Sequence, residues 1–502
     1  MRGISKRFDT TWANTDVDFD LYKGEIVSLL GENGSGKTTL MNILAGLYYP
    51  DKGHIFVNGR AVVIDSPAGA YALGIGMVHQ HFKLVDVFTA WENIILGEEG
   101  KYDVAKAKER IREICDRYGF VVDPDKKIYN MTVSEKQTVE IVKVIFRGAD
   151  ILILDEPTAV LTPQETERLF DVMRNMRQDG KSIIIITHKL NEVMAISDRV
   201  VILRGGRYIG QLETAKTNPQ EMTDMMVGHS VVLDIERPEP VNTVKRLIVK
   251  DLNVTDADGV KKVSDVNFYM NSGEILGIAG ISGSGQKELL EAIAGIQKTD
   301  SGSVLYVDDD GNEKELVGMH PRDIRELGVE LSFVPEDRLG MGLVGNMDIA
   351  ENMMLRTFGE SHKWFTDRAK PKKIAGNVVE SLEISTPGLN TPVRRLSGGN
   401  IQKVLVGREI SSHPKVLLTA YAVRGLDINS SYKIYDLIND QKKKGVAVLF
   451  VGENLDVLMQ ISDKIMVLCD GRVSDIVDAK KITKNEIGLL MTSLEGAGHS
   501  EQ

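Results

Sequence analysis

The chain has 502 residues, 42% of them apolar, and a formal charge of −11 from 61 basic and 72 acidic residues. This length predicts two or more domains, and the acidic balance disfavours nonspecific binding to nucleic acid. No apolar run approaches the roughly 20 residues of a membrane span, and no apolar signal core follows Met1, so we expect a cytoplasmic protein. The two cysteines, Cys115 and Cys469, are too few for a zinc cluster and are expected to be buried packing residues.

The sequence contains an internal duplication. Residues 23–26 (KGEI) recur as residues 272–275 (SGEI), and residues 198–201 (DRVV) recur as residues 463–466 (DKIM). The offset grows from 249 (273 − 24) to 265 (463 − 198), so the second copy has gained residues, as expected in a surface loop. We predict a first domain at 1–232, a short, polar and partly extended linker at 233–243, a second domain at 244–495 and a tail at 496–502.

The first copy alternates short β-branched runs with helical stretches. Strands are predicted at 25–29, 151–154 and 183–187, and helices at 136–146 and 163–178. This alternation predicts an α/β fold in which helices wrap a parallel sheet, with ligands at the carboxyl ends of its strands. Residues 85–144 are mostly helical in pattern and predict a separate helical subdomain.

A glycine-rich loop follows the first of these strands and precedes a helix expected to open at Thr39. It fits the pattern of Gly, four residues, then Gly-Lys-Ser/Thr, in which glycines turn backbone N–H groups toward a nucleotide triphosphate. Lys37 would contact the β- and γ-phosphates, and the Thr38 hydroxyl would bind Mg²⁺. The residues expected at the nucleotide are Gly31, Glu32, Asn33, Gly34, Ser35, Gly36, Lys37, Thr38 and Thr39.

Candidate catalytic residues follow at the ends of later strands. Asp155 can hold Mg²⁺ through its water shell, and Glu156 can polarise an attacking water. His188 ends another strand and could reach the γ-phosphate, and Gln80 is a candidate sensor of Mg²⁺ and the water. Phe8 could stack on adenine. Each has an ordinary alternative: solvated acids, a structural histidine, an uninformative glutamine and a core aromatic.

These residues, together with residues 396–400 of the second copy (LSGGN), resemble the ATP-binding cassette ATPases of transporters. The duplicated layout looks like the fused ATPase subunit of bacterial importers for simple sugars and nucleosides, and residues 76–82 and 335–338 look most like the nucleoside branch. The resemblance implies two tandem cassettes, each with a phosphate-loop parallel-sheet core, an antiparallel β edge and a helical subdomain. Because Phe8 lies close to Met1, the opening edge strand is expected to be short.

The resemblance also implies an ATP- and Mg²⁺-dependent ATPase at the cytoplasmic face of the cell membrane. Its expected partners are one or two kinds of integral-membrane permease and, through them, an extracellular binding protein, with no nucleic acid. Residues 82–91 mix aromatic and polar side chains. They are either core of the helical subdomain or, as the family implies, the place that receives a short helix from the permease.

Cassettes of this family pair head to tail, so each ATP lies between the phosphate loop of one cassette and the signature loop of the other. The second copy departs from the pattern in its own phosphate loop, where Gly280 and Gly285 remain but Gln286 and Lys287 replace Lys37 and Thr38. Its positions for Gln80, Asp155, Glu156 and His188 hold Glu336, Ala420, Tyr421 and Glu453.

The signature loops show the reciprocal pattern. The second copy keeps Ser397, Gly398, Gly399 and Asn400, and its Asp427 resembles a residue of the loop that crosses beside the partner's site. The first copy instead has Thr132, Ser134 in place of the second glycine, and acidic Glu135. Pairing of the two cassettes within the chain therefore predicts one complete ATP site, made of the first phosphate loop and the second signature.

The predicted function is the ATP-hydrolysing subunit that energises import of a nucleoside or simple sugar. The alternative is a soluble tandem-cassette ATPase of translation, although such proteins typically keep both sites intact and use a long charged linker. A DNA-repair ATPase would need a coiled-coil insertion or zinc module, and a signalling GTPase would need a guanine-reading Asn-Lys-x-Asp pattern; neither is evident.

Overall fold

The computed structural model divides the chain into two compact units, Met1–Val232 and Leu233–Gln502. It describes all residues except 10, 33, 80–81, 98–102, 160, 229–234, 242, 282, 327–330, 336–337, 358–367, 412–413, 425, 427, 453 and 493–502. None of the helices in the described ranges has the length and apolar character of a membrane span.

Two sheets form the framework of the first unit. Its strands are β1 (Arg2–Phe8), β2 (Thr11–Val17), β3 (Ile26–Leu30), β4 (Lys52–Val57), β5 (Arg60–Val62), β6 (Ile75–Val78), β7 (Ile151–Asp155), β8 (Ser182–Ile186), β9 (Arg199–Arg204) and β10 (Arg207–Glu213). The order in one sheet is β10-β9-β3-β8-β7-β6, parallel from β9 to β6 with β10 antiparallel. The order in the antiparallel sheet is β2-β1-β4-β5.

Helices cover the larger sheet of the first unit on both faces. They are α1 (Lys37–Leu44), α2 (Pro67–Ala72), α3 (Ala90–Ile95), α4 (Val104–Tyr118), α5 (Val133–Phe146), α6 (Pro163–Gln178), α7 (Leu190–Ile196) and α8 (Pro219–Val227), with 3₁₀ turns at Ile128–Asn130 and Thr214–Lys216. Every residue of β3 is buried; Val27 and Leu29 share a core with α1, whereas Ile26 shares one with α6. Helices α3 to α5 enclose a separate core, which confirms the helical subdomain.

The second unit repeats this architecture. Its strands are β11 (Lys245–Thr255), β12 (Lys261–Asn271), β13 (Ile275–Gly280), β14 (Ser301–Val307), β15 (Glu313–Glu315), β16 (Leu331–Val334), β17 (Val416–Ala420), β18 (Ala447–Val451), β19 (Lys464–Cys469) and β20 (Arg472–Asp478). The orders β20-β19-β13-β18-β17-β16 and β12-β11-β14-β15 match those of the first unit strand for strand. The predicted duplication and fold class are therefore confirmed.

The helices of the second unit also follow those of the first. They are α9 (Gln286–Ile293), α10 (Pro321–Glu326), α11 (Ile349–Thr357), α12 (Ala369–Ser381), α13 (Gly398–Ser411), α14 (Ile428–Lys443), α15 (Leu455–Ile461) and α16 (Lys484–Leu490), with a 3₁₀ turn at Val393–Arg395 and a π-helical segment at Arg338–Gly342. Residues of α11, α12 and α13 share one core with the parallel sheet and α14.

Part of the predicted linker packs on the second unit. Residues 235–241 have no regular secondary structure, and Ile235 is buried in the core of that unit. The Arg237 guanidinium donates to the carbonyls of Met459 (3.1 Å) and Ser462 (2.7 Å). The side chain of Asn439 donates to the Glu236 carbonyl at 2.6 Å. This stretch is therefore fastened to one unit along its length.

Candidate functional site

The phosphate loop of the first unit lies between β3 and α1. Gly34 and Gly36 have φ values of 79° and 91°, in the left-handed region that glycine adopts at low cost. A Cβ atom on Gly36 would lie 2.3 Å from the Ala13 carbonyl oxygen, so this position accepts glycine alone. Asn14 Nδ2 donates to the Gly36 carbonyl at 3.2 Å, which ties the loop to β2.

Lys37 begins α1 and is only 7% exposed. Its Nζ donates to the carbonyl oxygens of Gly31 (2.6 Å) and Glu32 (2.9 Å). Burial lowers the pKa of Lys37, whereas the nearby carboxylates of Glu156 and Asp155 raise it. A desolvated ammonium group held inside an anion-binding loop is suited to pair with phosphate oxygens.

Ser35 offers a further donor inside the same loop. The residue is 3% exposed, and among the described residues its Oγ has no hydrogen-bond partner. Its backbone N–H donates to the Glu32 carbonyl at 3.1 Å. An unpaired buried hydroxyl costs free energy, and a phosphate oxygen in the loop would remove that cost. The loop therefore fits a triphosphate chain.

Asp155 and Thr38 lie side by side between the end of β7 and the start of α1. The Thr38 side chain hydrogen-bonds the Asp155 carboxylate. Burial, and then the charge of Glu156, raise the pKa of Asp155 to about 6, while Lys37 and Thr38 act in the opposite direction. Carboxylate and hydroxyl oxygens are hard ligands of the kind Mg²⁺ prefers. This pair therefore fits the predicted metal position.

Glu156 and His188 meet at the ends of β7 and β8. Glu156 has a φ of 48°, which strains a residue other than glycine, and its N–H donates to the Ile186 carbonyl at 2.9 Å. Glu156 Oε1 lies 2.9 Å from His188 Nδ1, and this hydrogen bond lowers the pKa of Glu156. The His188 side chain is 53% exposed. An ionised, positioned carboxylate can polarise a water molecule.

Phe8 lies at the end of β1 and is 41% exposed. Its ring forms an edge-to-face pair with Tyr48, with ring centroids 5.2 Å apart and an interplanar angle of 73°. No sequence pattern predicts Tyr48, because the contact joins residues 40 positions apart (48 − 8). The exposed ring is suited to stacking on a base.

Five predicted site residues lie outside the described residues. The roles of these five residues stay predictions. The structure does describe the other residues of the phosphate loop, and Thr39, which lies in the first turn of α1. The five are Asn33, Gln80, Glu336, Asp427 and Glu453.

The phosphate loop of the second unit has the same backbone conformation as the first but holds a neutral glutamine at the position of Lys37. Gly283 and Gly285 have φ values of 91° and 92°, close to those of the first loop. Gln286 Nε2 donates to the Ile281 carbonyl at 3.0 Å, which reproduces one of the two Lys37 hydrogen bonds with a neutral amide. Lys287 instead lies 3.8 Å from the carboxylate of Glu291 one turn along α9.

The strand end of the second unit shows the same division between backbone and chemistry. Tyr421 has a φ of 52°, and its N–H donates to the Val451 carbonyl at 2.9 Å. This reproduces the strained turn of Glu156. Ala420 is 3% exposed and stands at the position of Asp155. The turn is therefore retained without either carboxylate.

The second-unit signature opens α13 with an accessible helix N-terminus. Ser397 and Gly398 are exposed. Ser397 Oγ accepts hydrogen bonds from Asn400 N (3.4 Å) and Asn400 Nδ2 (3.0 Å), and Asn400 Oδ1 accepts one from the Ser385 N–H at 3.1 Å. The positive end of the helix dipole favours an approaching anion.

The first-unit helix α5 begins differently. Thr132 caps the helix, and Glu135 completes a capping box by accepting from the Thr132 N–H at 2.7 Å. The Glu135 carboxylate also pairs with Lys126 Nζ at 2.7 and 2.8 Å. Negative charge at the helix start opposes a phosphate. Helices α5 and α13 are nevertheless anchored in the same way, because the Gln137 side chain donates to the Pro157 carbonyl and the Gln402 side chain donates to the Ala422 carbonyl.

The repeated sheet order, the phosphate loops and the signature helices define a tandem ATP-binding cassette ATPase. The sequence profile of the family described as ABC transporter matches residues 14–159 and 263–419. The chain therefore belongs to the ABC transporter family, as the resemblance predicted.

The chain is also similar over nearly its whole length to curated import ATP-binding proteins. It is 43% identical over 500 residues to the nucleoside import ATP-binding protein NupA of Lactococcus lactis subsp. cremoris (strain MG1363), covering 98% of this chain and 97% of that protein. It is 42% identical over 498 residues to the guanosine import ATP-binding protein NupO of Bacillus subtilis (strain 168), covering 98% and 96%. These relatives confirm the predicted resemblance to the nucleoside branch.

A solved structure shares the two-cassette fold. It is the complex of the archaeal ribosomal stalk protein aP1 with the archaeal ribosome recycling factor aABCE1, with a TM-score of 0.61 and 18% identity, covering 95% of this chain and 90% of that chain. At this identity the likeness concerns the fold alone.

Proposed function

We propose that this chain hydrolyses ATP at one composite site and thereby drives import of a nucleoside through a membrane permease. The first unit supplies the phosphate loop and the acids, and the second supplies the signature. Relatives that are named for nucleoside and guanosine import support the cargo class. A simple sugar is the alternative cargo.

The observation that carries the one-site proposal is the reciprocal placement of intact parts. Lys37, Asp155 and Glu156 belong to the first unit, whereas the exposed helix start at Ser397 and Gly398 belongs to the second. In a head-to-tail pair these parts fall into the same site, and all the substituted parts fall into the other. Losses at random would have left both sites partly damaged.

Each residue of the proposed site has one task. Lys37 and the Ser35 hydroxyl hold the triphosphate, and Glu156 polarises the attacking water while His188 fixes the orientation of its carboxylate. Thr38 and Asp155 would hold Mg²⁺, which when bound neutralises charge on the β- and γ-phosphates. The Ser397 hydroxyl and the N–H groups at the start of α13 contact the γ-phosphate from the opposite side.

The permease contact is proposed for the loop before α3. Leu84 and Trp91 pack against the helical core, whereas Val87 is 63% exposed. The segment 84–91 thus combines the two predicted readings: its partly buried side chains pack on the core, and its exposed part is available to a partner. The Asn93 side chain braces it by accepting from the Val85 N–H at 2.8 Å.

A single ATP supplies only part of the energy for closing the pair. Shifting an open–closed equilibrium from 1:99 to 99:1 takes about 5.5 kcal/mol of differential binding. One ligand at about 100 times its dissociation constant contributes roughly 2.7 kcal/mol. We propose that a nucleotide retained at the second loop or the loaded permease supplies the difference; nucleotide counting on the closed complex separates the two.

The test of the one-site proposal is ATP hydrolysis by the chain reconstituted with its permease. Lys37→Ala abolishes steady-state hydrolysis, whereas the matched variant Gln286→Ala leaves it within about twofold. Equal losses from the two variants would refute the proposal. Calorimetric titration of the transporter's binding protein with nucleosides and with simple sugars separates the two cargo classes.

A further inference from the structure

Tyr48 is the aromatic neighbour of the candidate base-stacking residue. Its ring packs edge-to-face on Phe8, and the Lys6 ammonium lies 5.6 Å from the Phe8 ring centroid. Aromatic edge-to-face pairs and cations near a ring both restrict ring motion. Phe8 nevertheless remains 41% exposed, so ring surface is left for a ligand.

Tyr48 is tied to the helix that carries the phosphate loop. It lies in the loop that follows α1, where its N–H donates to the Asn42 carbonyl at 3.3 Å. The same loop is fastened to β1, because the Asp51 carboxylate accepts from the Arg7 N–H (2.7 Å) and from Lys6 Nζ (3.2 Å). The Phe8 ring is thereby held at a fixed place relative to the phosphate loop.

The second unit lacks this aromatic pair. A matching backbone hydrogen bond aligns Ser5 of β1 with Asn253 of β11. Phe8 lies three residues after Ser5, and the residue three positions after Asn253 is Asp256. Residues 254–263 (VTDADGVKKV) contain no aromatic residue. The matching bonds join the Asp51 N–H to the Ser5 carbonyl (2.8 Å) and the Asp300 N–H to the Asn253 carbonyl (2.9 Å).

The position of Tyr48 is also changed in the second unit. Gln297 occupies it at the offset of 249 shared by the phosphate loops (297 − 48 and 285 − 36). Its Nε2 donates to the Thr255 carbonyl at 3.1 Å, so a hydrogen bond to the strand replaces the ring contact. Both members of the pair are therefore absent together, as expected if they act together.

We propose that Tyr48 is a positioning residue for ATP: it holds the Phe8 ring in the orientation that stacks on the adenine base. The proposal rests on the function proposed above. Ordering the ring before ATP arrives lowers the entropy cost of stacking. Tyr48 therefore affects affinity for the base and leaves phosphate binding and the chemical step unchanged.

The test compares Tyr48→Ala with Tyr48→Phe and with the control Tyr49→Ala, which removes the adjacent tyrosine, itself 54% exposed. Tyr48→Ala raises the dissociation constant for ATP and the KM by about two- to tenfold, as loss of an aromatic pair predicts, with kcat unchanged. Tyr48→Phe and Tyr49→Ala behave as the unmodified chain. Binding of inorganic tripolyphosphate, which has no base, is the same in all four proteins.

A double-mutant cycle with Phe8→Ala tests whether Tyr48 acts through Phe8. Tyr48→Ala has no further effect on ATP affinity in the Phe8→Ala background. An unchanged ATP affinity in Tyr48→Ala, or an equal loss for tripolyphosphate, would overturn the inference. If Lys37→Ala remains active, the proposed function itself fails; if only Tyr48→Ala behaves normally, this inference alone fails.

Discussion

The two cassettes have the same strand order and the same turns at the phosphate loop and the strand end, yet they carry different side chains there. Lys37 and Gln286 both donate to a carbonyl of their own phosphate loop, and Glu156 and Tyr421 share a left-handed backbone conformation. The strain of such a conformation, of order 1–3 kcal/mol, is kept where no carboxylate remains. Apolar cores and glycines maintain the scaffold, and we propose that a few polar side chains determine whether it can hydrolyse ATP.

The largest contrast is expected at the strand-end acids. Glu156→Gln keeps the size and turn but removes the ionised carboxylate, so the hydrolysis rate falls about 10²- to 10⁴-fold. Tyr421→Phe, the matched change in the second unit, leaves the rate within about twofold. Steady-state phosphate release from the reconstituted transporter measures both, and a large loss in Tyr421→Phe would contradict the contrast.

Core substitutions are expected to destabilise the two units to a similar extent. Leu29 and Ile278 lie on the central strands β3 and β13 and are 0% and 1% exposed. Leu29→Ala and Ile278→Ala each leave a cavity and lower the free energy of unfolding of their own unit by about 2–5 kcal/mol. Urea unfolding followed by circular dichroism measures both. A loss confined to one variant would show that the two scaffolds differ in stability.

The signature helices provide a smaller, reversed contrast. Ser397→Ala removes a hydroxyl from the accessible start of α13 and is expected to lower hydrolysis about tenfold, less than the loss of a full oxyanion donor. Thr132→Ala removes a helix cap from α5, costing about 1 kcal/mol of stability, with little effect on hydrolysis. Equal hydrolysis rates in the two variants would show that the second-unit signature is not part of the ATP site.

The two cysteine thiols are expected to show the smallest difference between the units, because neither should react with a thiol reagent. Both cysteines are buried, as predicted. Burial raises the pKa of Cys115 to about 11 and also raises that of Cys469. Because each thiol stays protonated below its raised pKa, the thiolate fraction at pH 8 is small and a maleimide labels neither in the native chain. Single Cys→Ala variants assign any labelling, and rapid modification of Cys115 would contradict its burial.

Much of the fold is predictable from local sequence. The phosphate-loop strand and the later strands and helices of the first unit follow apolar runs and helical periodicity, and α6 has the predicted bounds. Helix α1 begins at Lys37, two residues before the predicted start, because the left-handed Gly36 caps it. Strand β1 is short, with seven residues against eleven in β11, but it lies between β2 and β4 and not at the sheet edge that was expected.

The missed features depend on contacts between distant parts of the chain. Tyr48 meets Phe8 only after α1 folds back toward β1, and Glu135 pairs with Lys126 across the turn before α5. Local sequence does not predict the loss of the aromatic in the second unit either, because a one-residue difference between the β1 and β11 hairpins changes the offset from 249 to 248 (256 − 8). Only the backbone hydrogen bonds reveal that difference.

The most direct measurement is the number of ADP molecules trapped by vanadate in the complete transporter during turnover with photoreactive ATP. One competent site predicts one ADP per chain, with the label on the first unit and no trapping in Lys37→Ala. Two ADP molecules per chain, or trapping that persists in Lys37→Ala, would contradict the account.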